Sequence, residues 1–334
     1  MPMNQSRKIL ICLHTIIIFL LAACNFDGRQ KLPSQYVAIE SLSPNLVAGA
    51  YEISRQMDDY DRPYFLYLPA SYSSTKNFPL LLMLHGGGGS AAQFARSIAI
   101  EQEADQFEFV VVFANGTNRF ENSQVLRTWN SGHCCTYALE NNIDDVAFLT
   151  FLIEELGEVL SIDSARVFVS GLSNGGMMAN RLAAERSDIF AGAAVIAGSL
   201  GGYSESGAAF YIPEQPDQSI HYLAIHGRFD QNVLYEGGHG PNTTGDRIDL
   251  SVDEQMSFWA NSNGCSAEPT VQFEADDLIR IANYENCVPH GKTQLITLEN
   301  AGHAWPGAQE GAISAVSSQL INANQVIFEF FLQP

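Results

Sequence analysis

Charge is scarce in this chain, and positive charge most of all. Only 16% of the 334 residues are Asp, Glu, Lys or Arg, which argues against long disordered segments. Lys and Arg number 17 against 37 Asp and Glu, a formal net charge of −20. Such a surface repels nucleic acid and anionic lipid headgroups, so neither is an expected partner. The chain has no internal repeat, no low-complexity tract and no Ser- or Thr-rich linker to an added binding module. No CxxC occurs, and the adjacent Cys134 and Cys135 would chelate poorly, so no metal and no cofactor is expected. What the chain does have is apolar residues, 46% of the total. That suffices for one large domain, or two smaller ones, with a sizeable core.

The first residues read as a targeting segment. Arg7 and Lys8 precede the run ILICLHTIIIFLLAA, too short for a membrane-spanning helix. The ending LAAC, Leu21 to Cys24, resembles the lipobox of bacterial lipoproteins. That resemblance implies a signal peptide over 1–23, a lipid on Cys24, and export, with ordinary secretion as the alternative. Asn25 then favours the outer membrane. Residues 24–48 read as a tether, and 49–334 as one folded domain.

In an oxidising compartment Cys134, Cys135, Cys265 and Cys287 allow three pairings, and sequence does not choose among them. The separation of Cys265 and Cys287 suits a clip across an insertion. Cys134 and Cys135 form either a vicinal bridge or two thiols.

Beyond residue 50 short apolar runs alternate with amphipathic ones. Strands are expected at YFLYLP (64–69), PLLLMLHG (79–86), FEFVVVFANG (107–116), RVFVSG, FAGAAVIAG, HYLAIHG (221–227) and KTQLITLE (292–299). A helix is expected after Asn142 as N-cap, with Asp144 and Asp145 favouring its start. Others are expected over NGGMMANRLAAER, Val252–Asn261 and roughly Ala315–Phe331. The alternation predicts an α/β fold, a mostly parallel central sheet with helices on both faces. Ligands in such folds sit beyond the carboxyl ends of the strands.

Chemistry gathers at those ends. Gly171-Leu172-Ser173-Asn174-Gly175 fits G-x-S-x-G between a strand and a helix. A sharp turn there strains the serine, and the glycines remove Cβ atoms that would clash. A serine nucleophile needs a base, and the base needs an orienting acid. Asp230 follows the strand ending near His226, and His303 follows the strand ending near Glu299. Glu236 and Asp246 rival the first; His290 and His239 rival the second. For the oxyanion, the candidate donors are the N–H of Asn174 and, within LHGGGGS (84–90), that of Gly87, with Gly86 and Gly88 as rivals. Trp129 and Trp305 are candidates to line a substrate pocket, and equally candidates for packing.

The ordered set LHGGGGSA, TWNSGHCC, DDVAFL, GLSNGG, HGRFDQNV, NGC and GHAWPG resembles the polyhydroxybutyrate depolymerase-like esterases. These are similar to feruloyl and acetylxylan esterases of carbohydrate esterase family one. The resemblance runs from about residue 50 to the C-terminus. It implies an α/β-hydrolase fold and a serine esterase with nucleophile Ser173, acid Asp230 and base His303. It also implies a Cys265–Cys287 disulfide. The sequence departs from the family at Thr136, where relatives often place glycine after the paired cysteines.

The expected function is therefore carboxylic ester hydrolysis through an acyl-enzyme. The first substrate choice is feruloyl or acetyl esters of polysaccharide, the second short polyhydroxyalkanoate esters. The membrane enters only through the lipid anchor, and no oligomeric state is indicated. A non-catalytic lipoprotein that binds glycans or a partner is the competing class, since fold does not fix function.

Overall fold

The chain's β-branched and leucine-rich runs assemble into one eleven-stranded sheet in a computed structural model. It describes residues 36–332 apart from 58–59, 121–124, 206–207, 244 and 309–316. The expected signal peptide, Cys24 and the first part of the expected tether lie outside the described residues.

The strands are β1 Tyr36–Ile39, β2 Gly49–Ile53, β3 Tyr64–Leu68, β4 Phe78–Leu84, β5 Val110–Ala114, β6 Ile162–Leu172, β7 Gly192–Ile196, β8 His221–Gly227, β9 Thr270–Glu274, β10 Ile279–Tyr284 and β11 Thr293–Leu298. Their order across the sheet is β1-β2-β3-β5-β4-β6-β7-β8-β11-β10-β9. The six central strands, β5 to β11 in that order, are parallel. Antiparallel pairs join β2, β3 and β5 on one flank and β11, β10 and β9 on the other.

Side-chain alternation explains why the central strands are apolar throughout. In β4, Leu80, Leu82 and Leu84 point into one core while Leu81 and Met83 point into another. The first core is closed by α4 (Asp145–Val159), α5 (Asn174–Glu185) and α6 (Val252–Ser262). The second is closed by α1 (Ala91–Ile98), α2 (Glu101–Phe107) and α7 (Ala323–Leu332). A short α3 spans Thr136–Glu140.

Three expectations need correction, and one hairpin was not anticipated. The tether does not extend to residue 48. Tyr36–Ile39 adds β1 in parallel to β2, the Tyr36 ring packs edge-on against Phe65 at 5.4 Å, and its hydroxyl donates to Glu101. An open sheet edge offers unpaired N–H and C=O groups, and this segment takes them up. Helix α4 is capped by Asp144, whose side chain accepts from Ala147 N–H at 2.9 Å. Asn142 instead sits in a left-handed turn at φ 47°. The last helix starts at Ala323 rather than near 315, because Asn322 Oδ1 accepts from Asn324 N–H at 3.0 Å and starts it there. The hairpin β9–β10 had no counterpart in the sequence reading. Its turn runs through Ala275, Asp276 and Asp277, all at positive φ, and the exposed strand β9 carries no apolar signal of burial.

Candidate active site

Ser173 stands at the turn from β6 into α5 with φ 57° and ψ −123°, a strained conformation for a non-glycine residue. Its N–H donates to Ile196 C=O at 2.9 Å and its C=O accepts from Met177 N–H at 2.8 Å. The flanking glycines are sterically required. A Cβ on Gly175 would lie 2.2 Å from Leu84 O, and one on Gly171 would lie 2.4 Å from the Gly175 backbone. Close packing of strand, turn and helix thus presses the serine outward.

Asp230 lies just past β8 and is 1% exposed. One carboxylate oxygen accepts from Asn232 N–H at 2.8 Å and Val233 N–H at 2.9 Å. The other lies 2.7 Å from His303 Nδ1 and 3.4 Å from His226 Nε2. Burial alone would raise the Asp230 carboxyl, but the hydrogen bonds from His226 and His303 outweigh it and hold it well below the usual carboxylate range. His303 follows β11, and its loop is locked to the Asp230 loop by Phe229 N–H donating to Ala301 C=O at 2.9 Å. Glu236 instead pairs with Arg228 at the surface, and His239 Nδ1 faces Arg247 C=O.

Ser173 and His303 line one cavity of about 240 Å³, with Gly86, Gly87 and Asn232. No hydrogen bond joins the two side chains among the described residues; in unliganded sites such bonds commonly tighten only on substrate binding. A second cavity, of about 390 Å³, also reaches Ser173 and shares Gly87 and Asn232 with the first.

The glycine loop is anchored from below. His85 Nε2 accepts from Gly116 N–H at 3.0 Å, so Nδ1 carries the proton and donates to Gly86 C=O at 2.8 Å. Burial pushes the His85 imidazole down to about 3, which keeps it neutral. Gly88 N–H is committed to Arg127 C=O and Gly89 N–H to Gly86 C=O. Among the described residues, no such backbone partner takes the Gly87 N–H.

Asn174 lends its side chain as well as its place at the helix start. Its Oδ1 accepts from Trp129 N–H at 2.8 Å and its Nδ2 donates to Trp129 C=O at 3.0 Å. That clamps the TWNSGHCC loop over the site. Asp145 holds the same loop from behind, accepting from Asn130 N–H at 2.7 Å while pairing with buried Arg62 at 2.6 Å. The two aspartates of DDVAFL therefore divide their work between capping a helix and pinning a loop.

The tryptophans require a correction. Both are fully buried and neither lines a cavity beside Ser173. The Trp129 indole donates to His85 C=O at 2.9 Å, and the Trp305 indole to Asn324 Oδ1 at 3.0 Å while its ring meets Phe94 edge-on at 5.2 Å. An indole whose N–H has an internal acceptor packs without penalty, so both belong to the interior.

Cys265 and Cys287 are joined by a disulfide, as are Cys134 and Cys135. Thr136, where relatives often have glycine, adopts φ 37°. A β-branched residue rarely enters that region, so the place where the sequence departs from the family is a backbone position suited to glycine. Arg247, Asp249, His133 and Asn232 were not singled out from the sequence. Arg247, His133 and Asn232 line the larger cavity, and Asp249 holds two of them together, Arg247 bridging it at 2.8 Å and His133 reaching the same carboxylate at 3.1 Å. His133 and Asn232 fall within TWNSGHCC and HGRFDQNV, but no local motif marks Arg247 or Asp249, and the four meet only through a long loop after β8.

A mostly parallel sheet with a strained serine at its centre and an Asp–His pair on neighbouring loops is the α/β-hydrolase fold. A solved acetyl xylan esterase from Aspergillus awamori shares that fold with a TM-score of 0.55, at 14% identity over 85% of this chain and 99% of that one. Residues 62–212 match the family model described as Esterase PHB depolymerase. Over 73% of its length the chain is 29% identical to feruloyl esterase B of Piromyces equi, spanning 42% of that longer protein. It is 28% identical to the protein NocK of Nocardia uniformis over 87% of each chain. An acetylxylan esterase of Coprinopsis cinerea is 27% identical over 72% of this chain and 65% of its own. The matched region is thus similar to esterases.

Proposed function

We propose that this chain is a serine carboxylic-ester hydrolase that works through an acyl-enzyme. The observation that carries the reading is the 2.7 Å contact of His303 with buried Asp230, in loops that share a cavity with Ser173. Ser173 attacks the ester carbonyl and His303 Nε2 takes its proton, while Asp230 fixes the imidazole tautomer and balances the charge that forms. The N–H groups of Gly87 and Asn174 receive the oxyanion; one good donor of this kind is worth about 3 kcal/mol. His303 then protonates the departing alcohol, and water repeats the sequence on the acyl-enzyme.

Feruloyl or acetyl esters of polysaccharide are the proposed substrates, in line with what the named relatives act on. Short polyhydroxyalkanoate esters form the second reading, favoured by the description of the matched family. The N-terminal pattern supports export with a lipid anchor at Cys24. The deciding experiment is Ser173→Ala, assayed on a short p-nitrophenyl ester with folding checked by circular dichroism. Turnover should fall by at least about 10³-fold; undiminished turnover by a folded variant rejects the assignment.

A further inference from the structure

The esterase mechanism leaves one buried histidine beside Asp230 without a task. His226 lies near the end of β8, opposite Thr297 of β11. It is 2% exposed and lines neither cavity beside Ser173. Its Nε2 is 2.8 Å from Val233 C=O and 3.4 Å from Asp230 Oδ2. A carbonyl oxygen can only accept, so Nε2 carries a proton and donates it to Val233. The Val233 N–H donates in turn to Asp230 Oδ1 at 2.9 Å. His226, Val233 and Asp230 thus close a ring of contacts, with a strand of the central sheet on one side and the acid on the other.

Val233 carries that order further. It is buried and packs with Met177 and Cys134. Met177 is the residue whose N–H donates to the Ser173 carbonyl. The loop that bears the acid therefore meets the helix that follows the serine through the same residue that His226 holds. Among the described residues no backbone N–H donates to the Val233 C=O. Removal of the imidazole donor would leave that buried acceptor unpaired, a costly state that the peptide relieves by turning toward another partner. Such a turn carries the Val233 N–H away from Asp230.

We infer that, on the triad of the proposed function, His226 is a positioning residue for ester hydrolysis. It fixes Val233, and through Val233 the carboxylate that orients His303. Asp230 has to present Oδ2 to His303 Nδ1 at 2.7 Å. Misplacing a catalytic group by about 1 Å can cost about 10²-fold in rate.

Two amides of different reach test it on the full chain. A glutamine side chain brings an N–H close to the place of the imidazole Nε2, whereas asparagine is a methylene too short to reach Val233. On p-nitrophenyl acetate, His226→Gln should keep kcat within about threefold of wild type. His226→Asn should lose about 10- to 100-fold in kcat, with KM changed by less than about twofold. His226→Leu, which fills the imidazole volume without a donor, should behave as His226→Asn does. Each kcat is taken per folded chain, the folded fraction being read by circular dichroism, so a loss of stability alone does not move it. A double-mutant cycle asks whether His226 acts through Asp230. In an Asp230→Asn background, His226→Asn should cost less than about twofold further. Equal kcat in the glutamine variant and the folded donor-less variants, or an undiminished further loss in the Asp230→Asn background, overturns the assignment. Ser173-dependent turnover by the wild-type chain reports the esterase reading separately, so the two failures are distinguishable.

Discussion

At the residue scale the decisive feature is how little room surrounds Ser173. The pentapeptide was legible in the sequence because its glycines answer a local steric demand. Gly175 shows the demand directly, since its missing Cβ would press on Leu84 O and His85 O at 2.2 and 2.5 Å. Gly175→Ala should destabilise the protein by at least about 2 kcal/mol, the scale of a forced backbone shift in a packed core. Thermal unfolding measures it. An unchanged melting temperature would mean that β4 and α5 are less tightly apposed than described. Other residues of the site were illegible for the opposite reason. Arg247 and His133 acquire their character from a shared carboxylate, Asp249, more than a hundred positions away from His133, and no spacing rule encodes such a meeting.

At the scale of elements, patterning located the long strands and helices, while caps decided where they begin. The period of the apolar residues in α4 says helix but does not choose between Asn142 and Asp144 as its first turn. The choice falls to Asp144 because its carboxylate reaches Ala147 N–H and because Asp145 must turn inward to Arg62. Asp144→Ala should cost about 1 kcal/mol, the usual worth of an N-cap, while Asn142→Ala should cost less. Urea denaturation of the two variants separates the assignments; a larger loss at Asn142 would reverse them. The edge strands β1 and β9 escaped notice for a related reason. Strands exposed in part or throughout at a sheet margin lack the continuous apolar signature that marked β4, β5 and β6.

At the scale of the whole molecule, stability should fall in acid, and the sign follows from three buried groups. His85 is neutral in the fold and pushed down to about 3 from an ordinary value of 6.5. Below about pH 6.5 the unfolded chain binds a proton there that the folded chain does not, so stability declines as pH falls through that window. Asp230 and Asp249 act in the same direction at lower pH. Burial would raise each carboxyl, but histidine partners, joined at Asp249 by Arg247, hold each below its ordinary value. Their contribution is present above the ordinary carboxylate range and is lost as pH falls through the folded values. Denaturation midpoints measured from neutral pH to about pH 4 should fall steadily. His85→Gln should flatten the decline between about pH 6.5 and about pH 5, above the range in which the carboxylates contribute. A midpoint insensitive to pH would contradict the buried neutral state of His85.

What the sequence determined by itself was whatever a local rule enforces: the alternation of apolar runs, the glycines of two tight turns, and the order of serine, acid and histidine along the chain. What only the tertiary structure decided was which polar groups share a neighbourhood. It buried Trp129 and Trp305 against internal acceptors, drew β1 onto the sheet edge, and set His303 against Asp230 across 73 positions. The physical reason is range. Backbone sterics and side-chain periodicity act over a few residues and leave their mark in the order of letters. Hydrogen bonds between distant loops exist only once the sheet has brought those loops together.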